Sequence, residues 1–282
     1  MRELEADQIS LEGDRRSKAV SSTFGTPFDL NLIGLWTLYL KEVRRFLKVP
    51  LQTVAAPLVT TMMFLLVFSV ALGRAGREIQ GVPFLDFLAP GLIMMAIIQN
   101  AFANTSSSIM IGKIQGNIID ILMPPLRSSE LLFGIIAGGV TRGLLVAIVV
   151  AVAMMFVIDL GSISILLAVF YAFSGALMLA LLGFLGGLWA EKFDQMSMVT
   201  NFIVTPLSFL SGTFYSITQL PEGFQAIAFI NPFFYLIDGL RFAFLGISDG
   251  SILIGMVVVT VINGGLWVFA HGLVKRGYRI KA

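Results

Sequence analysis

The chain has no cysteine and a single histidine, His271, in 282 residues. No disulfide framework and no thiolate metal site can be built from it. A multi-histidine metal centre is excluded as well. Charge is also scarce, at 13% Asp, Glu, Lys and Arg, about half the share of an ordinary soluble domain. No phosphate-binding loop is present. Gly112-Lys113 is the only Gly-Lys pair, with Ser107 where that loop needs its first glycine and Ile114 where it needs Ser or Thr.

What the chain has instead is apolar length. Hydrophobic residues make up 57% of it, the composition of an integral membrane protein. Runs near 51–72, 84–109, 131–158, 163–190, 196–215 and 252–274 predict six membrane-spanning helices. Segment 1–28 mixes acids (Glu3, Glu5, Asp7, Glu12, Asp14) with bases (Arg2, Arg15, Arg16, Lys18). It reads as a polar, mobile tail and not as a signal peptide. Residues 29–282 read as one transmembrane domain.

Residues 30–48 are amphipathic. Leu32, Leu35, Trp36, Tyr39, Val43, Phe46 and Leu47 fall on one helical face, and Lys41, Arg44, Arg45 and Lys48 on the other. Such a helix lies along the membrane surface. Segment 216–250 is apolar but broken by Pro221, Glu222, Pro232, Asp238, Arg241 and Asp249. It is too short for two spans plus a turn, and predicts short helices that dip in and return. Fifteen of the nineteen Lys and Arg residues fall on the side of the N-terminus and three on the other. That bias places both termini in the cytoplasm.

Polar residues inside the runs are candidate functional groups. Gln99, Asn100, Asn104, Thr105 and Ser106 to Ser108 occupy the second half of span two. Amides facing lipid are unfavourable, so this half should face protein or an aqueous cavity. Arg142 would lie about 16 Å inside span three at 1.5 Å per residue. Unpaired there, it is destabilising by about 3 kcal/mol or more. It either lines a path or snorkels to a surface. The Gly134/Gly138, Gly139/Gly143 and Gly183/Gly187 pairs allow close helix packing. Ser174-Gly175 matches the serine of rhomboid-type membrane proteases, but that chemistry needs a histidine base within reach. His271, near the other end of span six, does not supply one.

Two blocks are more specific. The first is Gly116-Asn117-Ile118-Ile119-Asp120-Ile121-Leu122-Met123-Pro124-Pro125. The second is Pro206 to Tyr215, followed by Leu220-Pro221, Asn231-Pro232-Phe233-Phe234-Tyr235 and Asp238-Gly239-Leu240-Arg241. With the six-span plan, these resemble the permease subunit of type-2 ABC transporters, in particular the NodJ- and YadH-like bacterial inner-membrane permeases. The resemblance runs from about residue 30 to 280.

It implies an all-α, six-span fold with an N-terminal interfacial helix and re-entrant outer helices between spans five and six. It implies an exporter subunit of the bacterial inner membrane, working as a homodimer among membrane lipids with two copies of a separate ATPase. The chain itself would bind no cofactor, with ATP and magnesium used by the partner, and no nucleic acid. Gly116, Asn117, Ile119, Asp120, Leu122, Pro124 and Pro125 would form the coupling helix, joined by Glu42, Arg45 and Glu191. Asn100, Asn104, Arg142, Phe209, Gly212, Phe214, Tyr215, Asn231, Pro232 and Tyr235 would line or gate the path. The resemblance implies substrates such as saccharides or drugs, and sparse membrane charge favours an amphipathic or lipid-linked one. A gradient-driven carrier or channel is the alternative. That class buries carboxylates at mid-membrane, whereas Asp86, Asp120, Asp159 and Asp194 fall in loops or at span ends.

Overall fold

The computed structural model describes residues 31–72, 78–116, 126–158, 161 and 164–278. Helix α1 is Leu32–Leu47. A π-helical turn, Leu51–Ala55, leads into α2, Ala56–Leu72. A two-stranded hairpin, β1 (Glu78–Ile79) with β2 (Val82–Pro83), precedes α3, Phe84–Ile114. Then come α4 (Ser128–Met154) and α5 (Ile165–Trp189). The chain from Phe193 to Leu210 is helical but not uniform, and Ser211 and Gly212 leave the helical conformation. It runs α6 (Phe193–Val199), a π turn, α7 (Thr205–Ser208) and a second π turn (Phe209–Thr213). Helices α8 (Glu222–Ile230) and α9 (Pro232–Leu245) meet at 91°. Helix α10, Ile252–Lys275, follows.

Among the described residues, Leu51–Ala71, α3, α4, α5 and α10 are each long and apolar enough to cross a membrane, and the bent α8–α9 pair would add a sixth. This is an all-α membrane protein. The expected span five is the one that departs from a plain helix, because its π turns break the regular α pattern.

Helix α3 is the axis of the bundle. In its most apolar stretch 83% of residues are buried within the chain, against 11% for Leu51–Ala71 and 17% for α10. At 31 residues it is about 46 Å long, longer than a bilayer's apolar core of about 30 Å. It therefore projects beyond the hydrocarbon at one end or tilts.

Lipid offers no hydrophobic drive between helices, so close packing of small residues holds the bundle. All three glycine pairs serve that purpose inside one chain. A Cβ on Gly134 or Gly138 would meet Leu38 or Glu42 of α1 at 2.7 and 2.5 Å. Gly139 and Gly143 admit Thr105 and Ala101 of α3. Gly183 and Gly187 lie against the Phe102 and Ser106 carbonyls of α3. Thr105 Oγ1 then reaches across to donate to the Ala180 carbonyl at 2.8 Å.

The bundle takes up one narrow face of α1. Leu38, Glu42 and Phe46 face the bundle, while Leu32, Trp36 and Leu47 are exposed. The glycine groove of α4 selects that face, because Leu38 and Glu42 fill the space the missing Cβ atoms leave.

Gly183→Ala places a methyl 2.4 Å from the Phe102 carbonyl oxygen. A backbone atom cannot yield cheaply, so a loss of about 1–3 kcal/mol is expected. Thermal melting in detergent should fall clearly below wild type, whereas Gly223→Ala, with nothing within 4 Å, should not change it.

Candidate functional site

The polar half of α3 holds the bundle's buried polar network. Asn100 Nδ2 donates to the Ala96 carbonyl at 2.9 Å, one turn back. Its Oδ1 is left to accept from Arg142 Nη2 at 3.1 Å. One turn on, Asn104 accepts from Arg45 Nη2 through both its carbonyl (2.7 Å) and its Oδ1 (3.1 Å). Arg45 also donates to Glu42 Oε2 from Nε (3.2 Å) and Nη2 (3.0 Å), and to Ser107 Oγ (3.0 Å). Ser108 Oγ donates to the other Glu42 oxygen at 2.8 Å. Tyr39 and Thr141 hydroxyls, 3.0 Å apart, add a link from α1 to α4.

This arrangement corrects two expectations. Glu42 was grouped with the coupling residues, but it is fully buried. Arg45 turns inward with it. Neither side chain is aimed at a partner's surface, and any role in coupling runs through α3. The α1 residues that are exposed at this end are Lys41, Arg44 and Lys48. Arg142 is 14 residues into α4, about 21 Å from its start. It is paired inward with Asn100 near the middle of the helix rather than extended to a surface.

A cavity of about 390 Å³ opens between the first span, α3 and the π turn after α6. Gln52, Thr60, Gln99, Asn100, Asn201 and Thr205 bring amides and hydroxyls to it, and no charged side chain lines it. Two of the three π turns, Leu51–Ala55 and Thr200–Val204, border it. An extra residue per turn shifts which side chains face inward, and here Gln52 and Asn201 sit on those turns. Thr53 Oγ1 fixes the corner between α1 and the first span, donating to the Phe46 (2.9 Å) and Val49 (3.0 Å) carbonyls. Arg142 reaches the cavity only through Asn100.

Phe64 lines the cavity too. Phe209 and Phe214 pack on it, with ring centroids 6.5 and 6.0 Å away, and on each other at 5.3 Å. Phe68 and Phe84 extend the cluster. These rings form an apolar layer between the polar cavity and the α8–α9 end.

Beyond that layer, Gly212 adopts φ +76°, a left-handed turn that suits glycine. Its carbonyl accepts from Arg241 Nη2 at 2.6 Å. Arg241 is 1% exposed and lies 3.8 Å over the Phe87 ring. Arg241, one of the charges that break segment 216–250, is thus a buried strut. Asn231 caps α9 by accepting from Phe233 N (3.1 Å), and its Nδ2 donates to the Leu207 carbonyl and Ser211 Oγ. Pro232 occupies the first turn of α9, where a missing N–H does no harm. Tyr235 OH donates to the Phe229 carbonyl, and Tyr215 is half-buried.

Sequence reasoning missed the hub at Asp249. It accepts from Gln80 Nε2 (2.7 Å), Ser216 Oγ (2.6 Å) and Ile217 N (2.9 Å). Asp238 in turn accepts from Asp249 N and Gly250 N. The available signal was the presence of these carboxylates in an apolar segment.

At the opposite end Lys113 Nζ donates to the carbonyls of Gly187, Leu188 and Ala190. A lysine there satisfies the free carbonyls at the C-terminus of α5 and favours its dipole. The same contacts hold the exposed Glu191 turn beside the end of α3. Gly116, at φ +70°, ends α3 and is exposed. Asn117, Ile119, Asp120, Leu122, Pro124 and Pro125 lie outside the described residues. Ser174 is not paired with His271. Asn263 donates to the Ser174 carbonyl, and His271 is two turns further along α10.

Residues 34–245 match the family model described as ABC-2 type transporter. The chain belongs to the ABC-2 type transporter family. It is accordingly a multi-pass membrane transport subunit of an ABC transporter, and a non-catalytic component. It is 33% identical over 250 residues to the inner membrane transport permease YadH of Escherichia coli K12, covering 89% of this chain and 98% of that protein. It is 24% identical to nodulation protein J of Rhizobium leguminosarum bv. viciae, covering 83% and 90%. The nodulation protein J of Rhizobium meliloti is 23% identical, over 77% of this chain and 82% of that protein.

Glu42→Ala removes the carboxylate that accepts from Arg45 and Ser108, leaving a largely buried guanidinium short of a partner. A loss of about 3 kcal/mol is expected, read as a lower melting temperature. Lys41→Ala should be near neutral, because that lysine is half exposed and 3.9 Å from Glu42.

Proposed function

We propose that this chain is the permease half of an ATP-driven exporter in the bacterial inner membrane. Two copies pair, and two separate ATPase subunits bind their cytoplasmic side. ATP and magnesium are used by those subunits, and both termini of the permease lie in the cytoplasm. The substrate is amphipathic: lipid-linked, saccharide or drug-like.

The observation that carries the reading is the uncharged polar cavity on spans one, two and five. Gln52 and Thr60 are exposed on a helix long and apolar enough to cross a bilayer, and Asn201 is exposed on the expected span five. Amides and hydroxyls are not left facing lipid. A second copy placed against this face would cover them and enclose a polar path between the two subunits. The aromatic layer of Phe64, Phe209 and Phe214, with the Gly212–Arg241 strut beyond it, fits an outer gate. The bent α8–α9 pair fits the re-entrant outer helices.

Energy enters at the other end. The Gly116–Pro125 segment serves as the coupling helix, with Glu191 as a second, smaller contact. Lys113 holds the Glu191 turn beside the end of α3. Closure of the ATPase pair shifts the permease between states only if the nucleotide favours one of them. The rigid connection available for that is α3, which runs from the coupling segment past the cavity to the outer end.

The test is affinity purification of the tagged chain from native membranes in mild detergent. A stoichiometric ABC ATPase with vanadate-sensitive hydrolysis should co-purify. Recovery of a clean preparation without partner or hydrolysis would sink the reading. In cells, replacing Asp120 and Pro124 together should abolish export while insertion, followed by protease accessibility, stays normal. Export that survives the loss of both would remove the coupling assignment.

A further inference from the structure

A second cavity, of about 340 Å³, has the opposite chemistry. Leu144, Ala147 and Ala151 of α4 form one wall, and Ala168 and Ala172 of α5 the other. Ile93 and Ile97 of α3, with Leu240 and Ala243 of α9, close the back. Among the described lining residues the one hydroxyl, on Ser164, accepts from Leu167 N at the start of α5. That lining does not offer a water the two or more polar partners it needs.

The shape has a physical cause. At Gly143 the helices are in close contact, with Ala101 and Ala176 3.2 and 3.3 Å from where a Cβ would stand. From there toward Ser164 the small side chains of Ala147, Ala151, Ala168 and Ala172 leave the space between α4 and α5 unfilled. Ser164 N donates to the Ala243 carbonyl at 3.1 Å and closes the top. The remaining side opens between Ile148, Ile165 and Val169, which are 63%, 72% and 58% exposed. Those residues lie within spans, so the mouth faces hydrocarbon.

We propose that this crevice is a binding site for one acyl tail of a bilayer phospholipid. Protein interiors do not keep voids of this size unfilled. The polar face that calls for a second copy lies on spans one, two and five, whereas this mouth opens between spans three and four. Hydrocarbon tails are the material at that mouth. The tail packs against Leu240 and Ala243, and so braces α9, the helix that holds Arg241 over Phe87.

The test uses the purified full chain in phosphatidylcholine vesicles. A fraction of the lipid carries a photoreactive diazirine at mid-tail, and no substrate or ATPase is present. After irradiation, cross-links should concentrate on Leu144 to Ala151 and Ala168 to Ala172. They should exceed those on the exposed α10 residues Leu253, Val257 and Val261. Ala168→Phe fills the crevice and should lower its labelling about tenfold, with α10 labelling unchanged. Ala147→Leu, from the opposite wall, serves as the second variant if the first does not fold. Crevice labelling no greater than that of α10 would overturn the proposal. So would labelling that persists in a filled variant. None of these outcomes bears on the exporter reading, since no transport is measured.

Discussion

Every polar group on α3 has to find its partner inside the protein, because the helix runs through a medium that offers none. That constraint organises much of the molecule. Asn100 brings in Arg142 from α4, and Asn104 brings in Arg45 from α1. Thr105 brings in the Ala180 carbonyl from α5. One stripe on one helix therefore sets the rotation of three neighbours. The glycines at 134, 138, 139, 143, 183 and 187 let those neighbours come near enough to comply.

The stripe also divides the bundle by function. On its inward side Asn100, Asn104 and Thr105 are each hydrogen-bonded to a neighbouring helix, although Asn104 Nδ2 is buried without a partner. On the side toward span one and the Thr200–Val204 turn they are left open to the uncharged cavity. Arg142 and Asn100 join the two regimes, since Asn100 lines the cavity while holding the buried arginine. A cavity with amides and hydroxyls but no charged lining suits a ligand that hydrogen-bonds without a strong charge. The apolar crevice between α4 and α5 suits hydrocarbon alone.

The ends of the bundle are held by different means. At one end Lys113 closes the C-terminus of α5 and keeps the Glu191 turn beside the end of α3. At the other, Asp249 gathers the hairpin at Gln80, the turn at Ser216 and its neighbour Ile217, while Arg241 fixes Gly212. A membrane transport subunit has to pass movement from one end to the other. Helix α3 meets both ends, since α3 contributes Phe87 beneath Arg241 and Lys113 beneath Ala190.

Apolar run length and composition alone determined that the chain is an all-α membrane protein. That property depends on local composition and on a bilayer thickness that is the same for every protein. Short motifs, read together, carried the family. Tertiary structure decided the rest. Glu42 and Arg45 read as surface groups of an amphipathic helix until the glycine groove of α4 drew Leu38 and Glu42 inward. Arg241 read as a loop charge until the α8–α9 bend folded it over Phe87. Span five read as one helix until its π turns placed Asn201 in the cavity. In each case the deciding term is a contact between residues dozens of positions apart, and helical periodicity does not encode which neighbour a face will meet.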